Sequence, residues 1–249
     1  MILGATERSG PPDGPVIVFI HGSRVTKSMW GPITSRLADT FRCIAVDLPG
    51  HGARADEPFS LEAAAGVVDA AIAEADDGRA IVVGLSLGGY VAMVTAARSP
   101  ERARGLVLAG SSAEPSGLTA HIFRLYAWAL AVAPRQPVDA LNDWIFRRRY
   151  PPEVAEPLIA GGYWSVGGSA GVRTLVQGRF RDRLVAFGGP ILVINGELDL
   201  VFRIGERSFL RGLPNVERRT FRLSTHLSPL DRPADFADAV RTFAERLPG

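Results

Sequence analysis

The stretch Ile81-Val82-Val83-Gly84-Leu85-Ser86-Leu87-Gly88-Gly89 runs an apolar, β-branched segment straight into Gly-x-Ser-x-Gly, and Tyr90-Val91-Ala92-Met93-Val94-Thr95-Ala96-Ala97 continues it in helix-like fashion. A strand that turns this sharply into a helix strains the residue at the bend and leaves no room for side chains two positions to either side. Gly84 and Gly88 occupy those two positions, so the pattern predicts a strand, a tight elbow and a helix, with Ser86 presented at the bend. Gly-x-Ser-x-Gly also arises by chance in a chain with 27 glycines, and it is the strand before it and the helix after it that give it weight.

A serine hydroxyl is inert near neutral pH unless a base takes its proton, and an imidazole base needs a carboxylate to hold its tautomer. The chain has four histidines, of which His226 stands in Leu223-Ser224-Thr225-His226-Leu227-Ser228-Pro229, between a strand-like stretch and a terminal helix. For the acid, Pro190-Ile191-Leu192-Val193-Ile194-Asn195 reads as a buried strand ending in Gly196-Glu197-Leu198-Asp199, and Asp199 is the candidate, with Glu197 and Glu114 as rivals. Each choice has a plainer alternative: Asp199 as a helix cap before Val201-Phe202-Arg203, and His226 as a turn residue.

Apolar strands near 16–20, 41–46, 80–85, 104–109, 190–195 and 216–222 alternate with helix-like segments near 30–39, 60–75, 87–98, 201–211 and 233–246. That alternation implies an α/β architecture, a doubly wound and mostly parallel sheet whose functional groups gather beyond the carboxyl ends of its strands. Ser86, Asp199 and His226 each fall at such an end.

These motifs together resemble the α/β-hydrolase family, in which serine, acid and histidine follow one another along the chain. The resemblance extends to Val16-Ile17-Val18-Phe19-Ile20-His21-Gly22-Ser23, similar to the family's strand and His-Gly turn, and to Asp47-Leu48-Pro49-Gly50-His51-Gly52, a loop that is structural more often than catalytic. By that likeness the backbone N–H groups of Ser23 and Leu87 form the oxyanion hole, the second at a helix N-terminus where developing negative charge is favoured. The chain departs from the family in Ala53-Arg54 after Gly-His-Gly and in Thr225 before the histidine, and the residues before Pro15 are too few for the usual opening pair of strands. A shortened sheet edge is therefore expected.

A length of 249 residues with 47% hydrophobic content suits one α/β domain with an insertion. Residues 1–111 and 189–249 are expected to form the core and residues 112–188 a helical cap, a stretch that breaks the strand–helix alternation and holds half of the chain's aromatic residues. Tyr126, Trp128, Trp144 and Trp164 are its candidates for the pocket wall. A formal charge of +2 gives no reason to expect nucleic acid, and Arg147-Arg148-Arg149 reads as a solvated helix face rather than a grip for phosphate. Lys27 is the only lysine in an arginine-rich chain, which reads as compositional bias. Nothing near the start has the length and apolarity of a signal peptide, and the longest apolar run of the cap, residues 125–133, is too short for a bilayer, so a cytoplasmic protein with no membrane partner is expected. Cys43, alone in a strand-like segment, is expected in the core, with no metal and no cofactor.

The resemblance implies acyl transfer from a small-molecule carboxylic ester of small to medium hydrophobic character, with lactones and thioesters passing through the same intermediate. Carbon–carbon bond hydrolases of this fold, and noncatalytic binding proteins that retain the triad, share the same motifs. Dehalogenases and epoxide hydrolases of the family carry an aspartate where this chain has Ser86, and are excluded.

Overall fold

The computed structural model describes residues 4–176 and 178–247. Seven strands form one sheet in the order β1-β3-β2-β4-β5-β6-β7. β2 (Val16–Ile20), β3 (Arg42–Val46), β4 (Ala80–Leu85), β5 (Ala103–Ala109), β6 (Ile191–Gly196) and β7 (Val216–Phe221) are mutually parallel. Only β1 (Thr6–Ser9) runs antiparallel, against β3. Where the family resemblance suggests two opening strands, the described residues hold one, and its polar sequence Thr-Glu-Arg-Ser carries no apolar run by which it could be read.

The central strands are apolar along their whole length because helices cover both faces of the sheet. Their side chains alternate between two cores: Val16, Val18 and Ile20 point to one, Ile17 and Phe19 to the other. The first core is closed by α2 (Leu61–Ile72) and α3 (Leu87–Arg98), the second by α1 (Gly31–Leu37) and, after β7 and the short α10 (Ser228–Asp231), by α11 (Pro233–Glu245). Cys43 is buried in the second core, and burial pushes its thiol up to about 12.

Between β5 and β6 the chain is helical, with α4 (Gly117–Val132), α5 (Arg135–Arg149), α6 (Pro152–Ala160), α7 (Ser165–Leu175) and α8 (Phe180–Phe187). The last of these lies on the sheet layer, where Phe180 packs on Tyr90 of α3 with ring centroids 4.5 Å apart. The segment α9 (Leu200–Phe209) links β6 to β7. Among the described residues no helix is long and apolar enough to cross a membrane.

Strand order reverses direction at β2 and β4, which pair in register from Ile17↔Ile81 to Ile20↔Gly84. A crevice opens beyond the carboxyl ends of strands at such a switch point. The loop carrying Ser23 leaves β2 there, and Ser86 leaves β4 there.

Candidate active site

Ser86 joins β4 to α3 with φ 52° and ψ −116°, a backbone conformation that costs an L-residue about 1–3 kcal/mol. Its surroundings enforce the bend. The Ser86 N–H donates to Ala109 O at 2.8 Å, and its carbonyl accepts from Gly89 N–H at 2.9 Å. A Cβ on Gly84 would lie 2.4 Å from the Gly88 carbonyl carbon, and one on Gly88 would lie 2.3 Å from Ile20 O, so neither position admits a side chain.

His226, in the loop after β7, holds its Nδ1 2.8 Å from Asp199 Oδ2. Asp199, 6% exposed, stands between β6 and α9. Donation from Nδ1–H to the carboxylate fixes the tautomer and leaves Nε2 as the acceptor for a proton. One face of the imidazole is covered by Phe202, stacked at 5.0 Å between centroids. Ser86, Asp199 and His226 line one cavity of about 340 Å³ together with Gly22 and Ser23. Among the described residues no hydrogen bond joins the Ser86 hydroxyl to the His226 ring; such bonds often tighten only when substrate is bound. The rival acids are engaged elsewhere: Glu197 accepts from Leu223 N–H at 2.9 Å, and Glu114 accepts from the N–H groups of Phe180 and Arg181, each at 2.9 Å.

The loop after β2 is pinned by buried histidines. His21 Nδ1–H donates to Gly22 O at 2.8 Å, while its Nε2 accepts from Leu48 N–H at 3.0 Å. Burial, and then the neighbouring His51 ring, lower the His21 pKa to about 3. Burial likewise lowers His51 to about 4, with Nδ1–H donating to Pro49 O at 2.9 Å. Both rings therefore stay neutral and hold the loop by hydrogen bonds. Lys27, four residues beyond Ser23, is buried against Asp47 with Nζ 2.6 Å from Oδ2. Leu87 opens α3, where the first N–H groups of a helix have no partner inside it. Ser23 lines the same cavity as Ser86, and Leu87, the next residue after Ser86, is buried.

The rest of the cavity wall is apolar, with Ile122, Phe123 and Tyr126 from α4, Val172 and Leu175 from α7, and Val201 and Phe202 from α9. Tyr126 adds a polar tip, its hydroxyl 3.2 Å from Ser23 Oγ. Of the four aromatic residues expected on the wall, three lie elsewhere. Trp128 and Trp144 are 58% and 59% exposed. Trp164 donates its indole N–H to Gly161 O at 3.0 Å and its backbone N–H to Arg24 O. On α4 the physical reason is helical geometry: positions 122 and 126 share a face one turn apart, whereas 128 falls on the far side. Phe202 belongs to no motif in the sequence, yet it follows Asp199 by only three residues, a spacing that brings it to the same end of α9. The arginine run of α5 is largely paired: Arg147 with Glu156, Arg149 with Asp231, and Arg148 over the Trp144 ring.

A strained serine elbow, a carboxylate-bound imidazole and a parallel sheet define an α/β-hydrolase architecture, and the family model for the alpha/beta hydrolases matches residues 17–239. The chain belongs to that family. Among curated relatives, a pimeloyl-[acyl-carrier protein] methyl ester esterase of Neisseria meningitidis is 42% identical over 123 residues, a match covering 46% of this chain and 46% of that protein. The chain thus matches about half the length of that relative. Over nearly full length, the protein of the same name in Vibrio vulnificus is 30% identical, covering 93% of this chain and 94% of its own. Among solved structures, a malate-bound thermophilic esterase from Thermogutta terrifontis superimposes with a TM-score of 0.78 at 24% identity, over 97% of this chain and 93% of that one. At that identity the likeness is one of fold.

Proposed function

We propose that this protein is a serine esterase, with Ser86 as nucleophile, His226 as general base and Asp199 as its orienting acid. The observation that carries the reading is the 2.8 Å bond from His226 to Asp199 on the wall of the apolar cavity that Ser86 shares. His226 Nε2 takes the Ser86 proton as the oxygen attacks the ester carbonyl. The tetrahedral oxyanion is held by the Ser23 and Leu87 N–H groups, and His226 then returns the proton to the departing alkoxide. Water, activated by the same ring, releases the acid from the acyl-serine.

The substrate we infer is a carboxylic ester with a small to medium apolar acyl chain, held under the cap formed by the helices between β5 and β6. The cavity volume of about 340 Å³ and its aliphatic and phenyl lining support that class. The methyl ester of a carrier-bound acyl chain, the substrate in the names of the Neisseria and Vibrio relatives, is the specific candidate.

Labelling with a fluorophosphonate probe tests the nucleophile: the native chain should label and turn over short p-nitrophenyl and methyl esters, and Ser86→Ala should do neither. A sharp optimum in acyl length supports the pocket reading. Labelling without turnover of any ester would instead favour a binding protein, and turnover confined to vinylogous diketones a carbon–carbon hydrolase.

A further inference from the structure

One carboxylate stands between the His226 loop and the end of α5. Asp231 Oδ2 accepts the Thr225 N–H at 2.6 Å, the Thr225 hydroxyl at 2.7 Å and the Ser224 hydroxyl at 3.1 Å. Its other oxygen faces α5, accepting from Arg149 Nη2 at 2.7 Å and from the Tyr150 hydroxyl at 2.7 Å. Arg149 Nη2 also donates to Thr225 Oγ1 at 3.0 Å, and that same oxygen accepts the Leu227 N–H at 3.3 Å. The Asp231 side chain is 7% exposed. Burial by itself would raise its carboxyl, but the Thr225 N–H, the Tyr150 and Thr225 hydroxyls and the Arg149 charge hold it below the ordinary carboxylate value. The residues so gripped, Ser224, Thr225 and Leu227, flank His226, and Leu227 also lines the cavity.

We propose that Asp231 is a positioning residue for His226, a clasp whose two oxygens fasten the histidine loop to the end of α5 and make the alignment of the imidazole on Asp199 depend on that helix. The proposal rests on the reading of His226 as the general base. The six residues between β7 and α10, 222–227, are held on the β6 side by Leu198 N–H donating to Ser224 O at 2.8 Å and by Leu223 N–H donating to Glu197, while Asp231 with Arg149 ties them to the end of α5. A displacement of about 1 Å at a catalytic group costs on the order of a hundredfold in rate. The two oxygens have separable duties: one sets the loop, and the other ties it to the end of α5.

Two variants separate these duties. Asp231→Asn removes the charge and replaces an acceptor with a donor facing Thr225 or α5; the pair Arg149→Met with Tyr150→Phe cuts only the α5 side. For Asp231→Asn, kcat on a p-nitrophenyl ester should fall at least about tenfold with KM within about twofold. The NMR resonance of the His226 Nδ1 proton, held in the 2.8 Å bond to Asp199, should move upfield as that contact loosens. The paired variant should show the same signs at smaller size, about threefold in kcat, and decides the matter alone if Asp231→Asn does not fold. An unmoved Nδ1 proton resonance in the folded variants, whatever their rates, is what a merely structural carboxylate gives and would overturn the clasp. A native chain that neither labels nor turns over esters would defeat the esterase reading instead, leaving the Nδ1 proton resonance to judge the clasp.

Discussion

The phenyl ring of Phe202 lies nearly flat on the imidazole of His226, with 15° between their planes and 5.0 Å between centroids. The end of α9 therefore supplies two restraints, Asp199 gripping Nδ1 in the ring plane and Phe202 resisting tilt out of it. An aromatic pair contributes about 1 kcal/mol beyond its area, which corresponds to roughly fivefold in rate if the whole of it serves ring alignment. Phe202→Leu, which keeps an apolar wall but loses the stack, should lower kcat by about that factor with a melting temperature within a few degrees of the native chain. An unchanged kcat would show that Asp199 orients the ring without help.

Gly110 sets a harder limit on the same imidazole. It has φ +53°, and a Cβ built there would lie 2.6 Å from His226 Cε1 and 2.7 Å from Nδ1. Its N–H is held by Asn195 Oδ1 at 3.2 Å, and Asn195 is fixed in turn by Ser112 and Glu206, so the backbone has little freedom to retreat. The ring must move instead. Gly110→Ala should cost about 1–2 kcal/mol of stability through its left-handed backbone, yet reduce kcat by on the order of a hundredfold. A loss of stability with kcat intact would mean that the imidazole can shift without consequence.

The parts of this fold that could be read in the sequence are those whose cause is local. The elbow is legible because strand, glycines, serine and helix are consecutive, and β2, β4 and β6 are legible because burial on both faces demands unbroken apolar runs. The polar edge strand β1 offers no such run, since it exists by pairing with β3. Pocket composition was the least legible: Tyr126 and Trp128 are equivalent in sequence and separated only by the helical angle between them. Lys27 looked like compositional bias until the structure set it against Asp47, and Asp231 had no motif at all, because its partners Arg149 and Tyr150 lie some eighty residues away.

The neutral histidines below the crevice predict a pH dependence of stability. Folding lowers His21 from 6.5 to about 3 and His51 from 6.5 to about 4, so below pH 6.5 the unfolded chain binds protons that the folded chain refuses. Their contribution is complete above pH 6.5 and declines as pH falls towards those folded values. Each group adds a slope of up to about 1.4 kcal/mol per pH unit. Urea unfolding between about pH 5 and 6.5 should show this slope, reduced by close to one proton in His51→Gln. Equal slopes in the two proteins would mean that His51 is protonated in the folded state.

The Lys27–Asp47 pair allows a prediction about stability separate from catalysis. Asp47 is fully buried, and its carboxylate also accepts the backbone N–H groups of Lys27 and Ala53, each at 3.0 Å, so it organises both the turn after the Ser23 loop and the loop after β3. Removing the ammonium leaves a buried charge with amide partners only, a change that costs about 3–5 kcal/mol. Lys27→Met should therefore lose stability on that scale in urea unfolding, while Lys27→Met with Asp47→Asn, which removes the stranded charge as well, should recover a substantial part of it. Turnover per folded molecule should stay close to native in the single variant, because Lys27 is not among the residues lining the cavity with Ser86. Additive losses in the double-mutant cycle would show that the two charges are screened from each other, and that the loops are held by Asp47's backbone contacts alone.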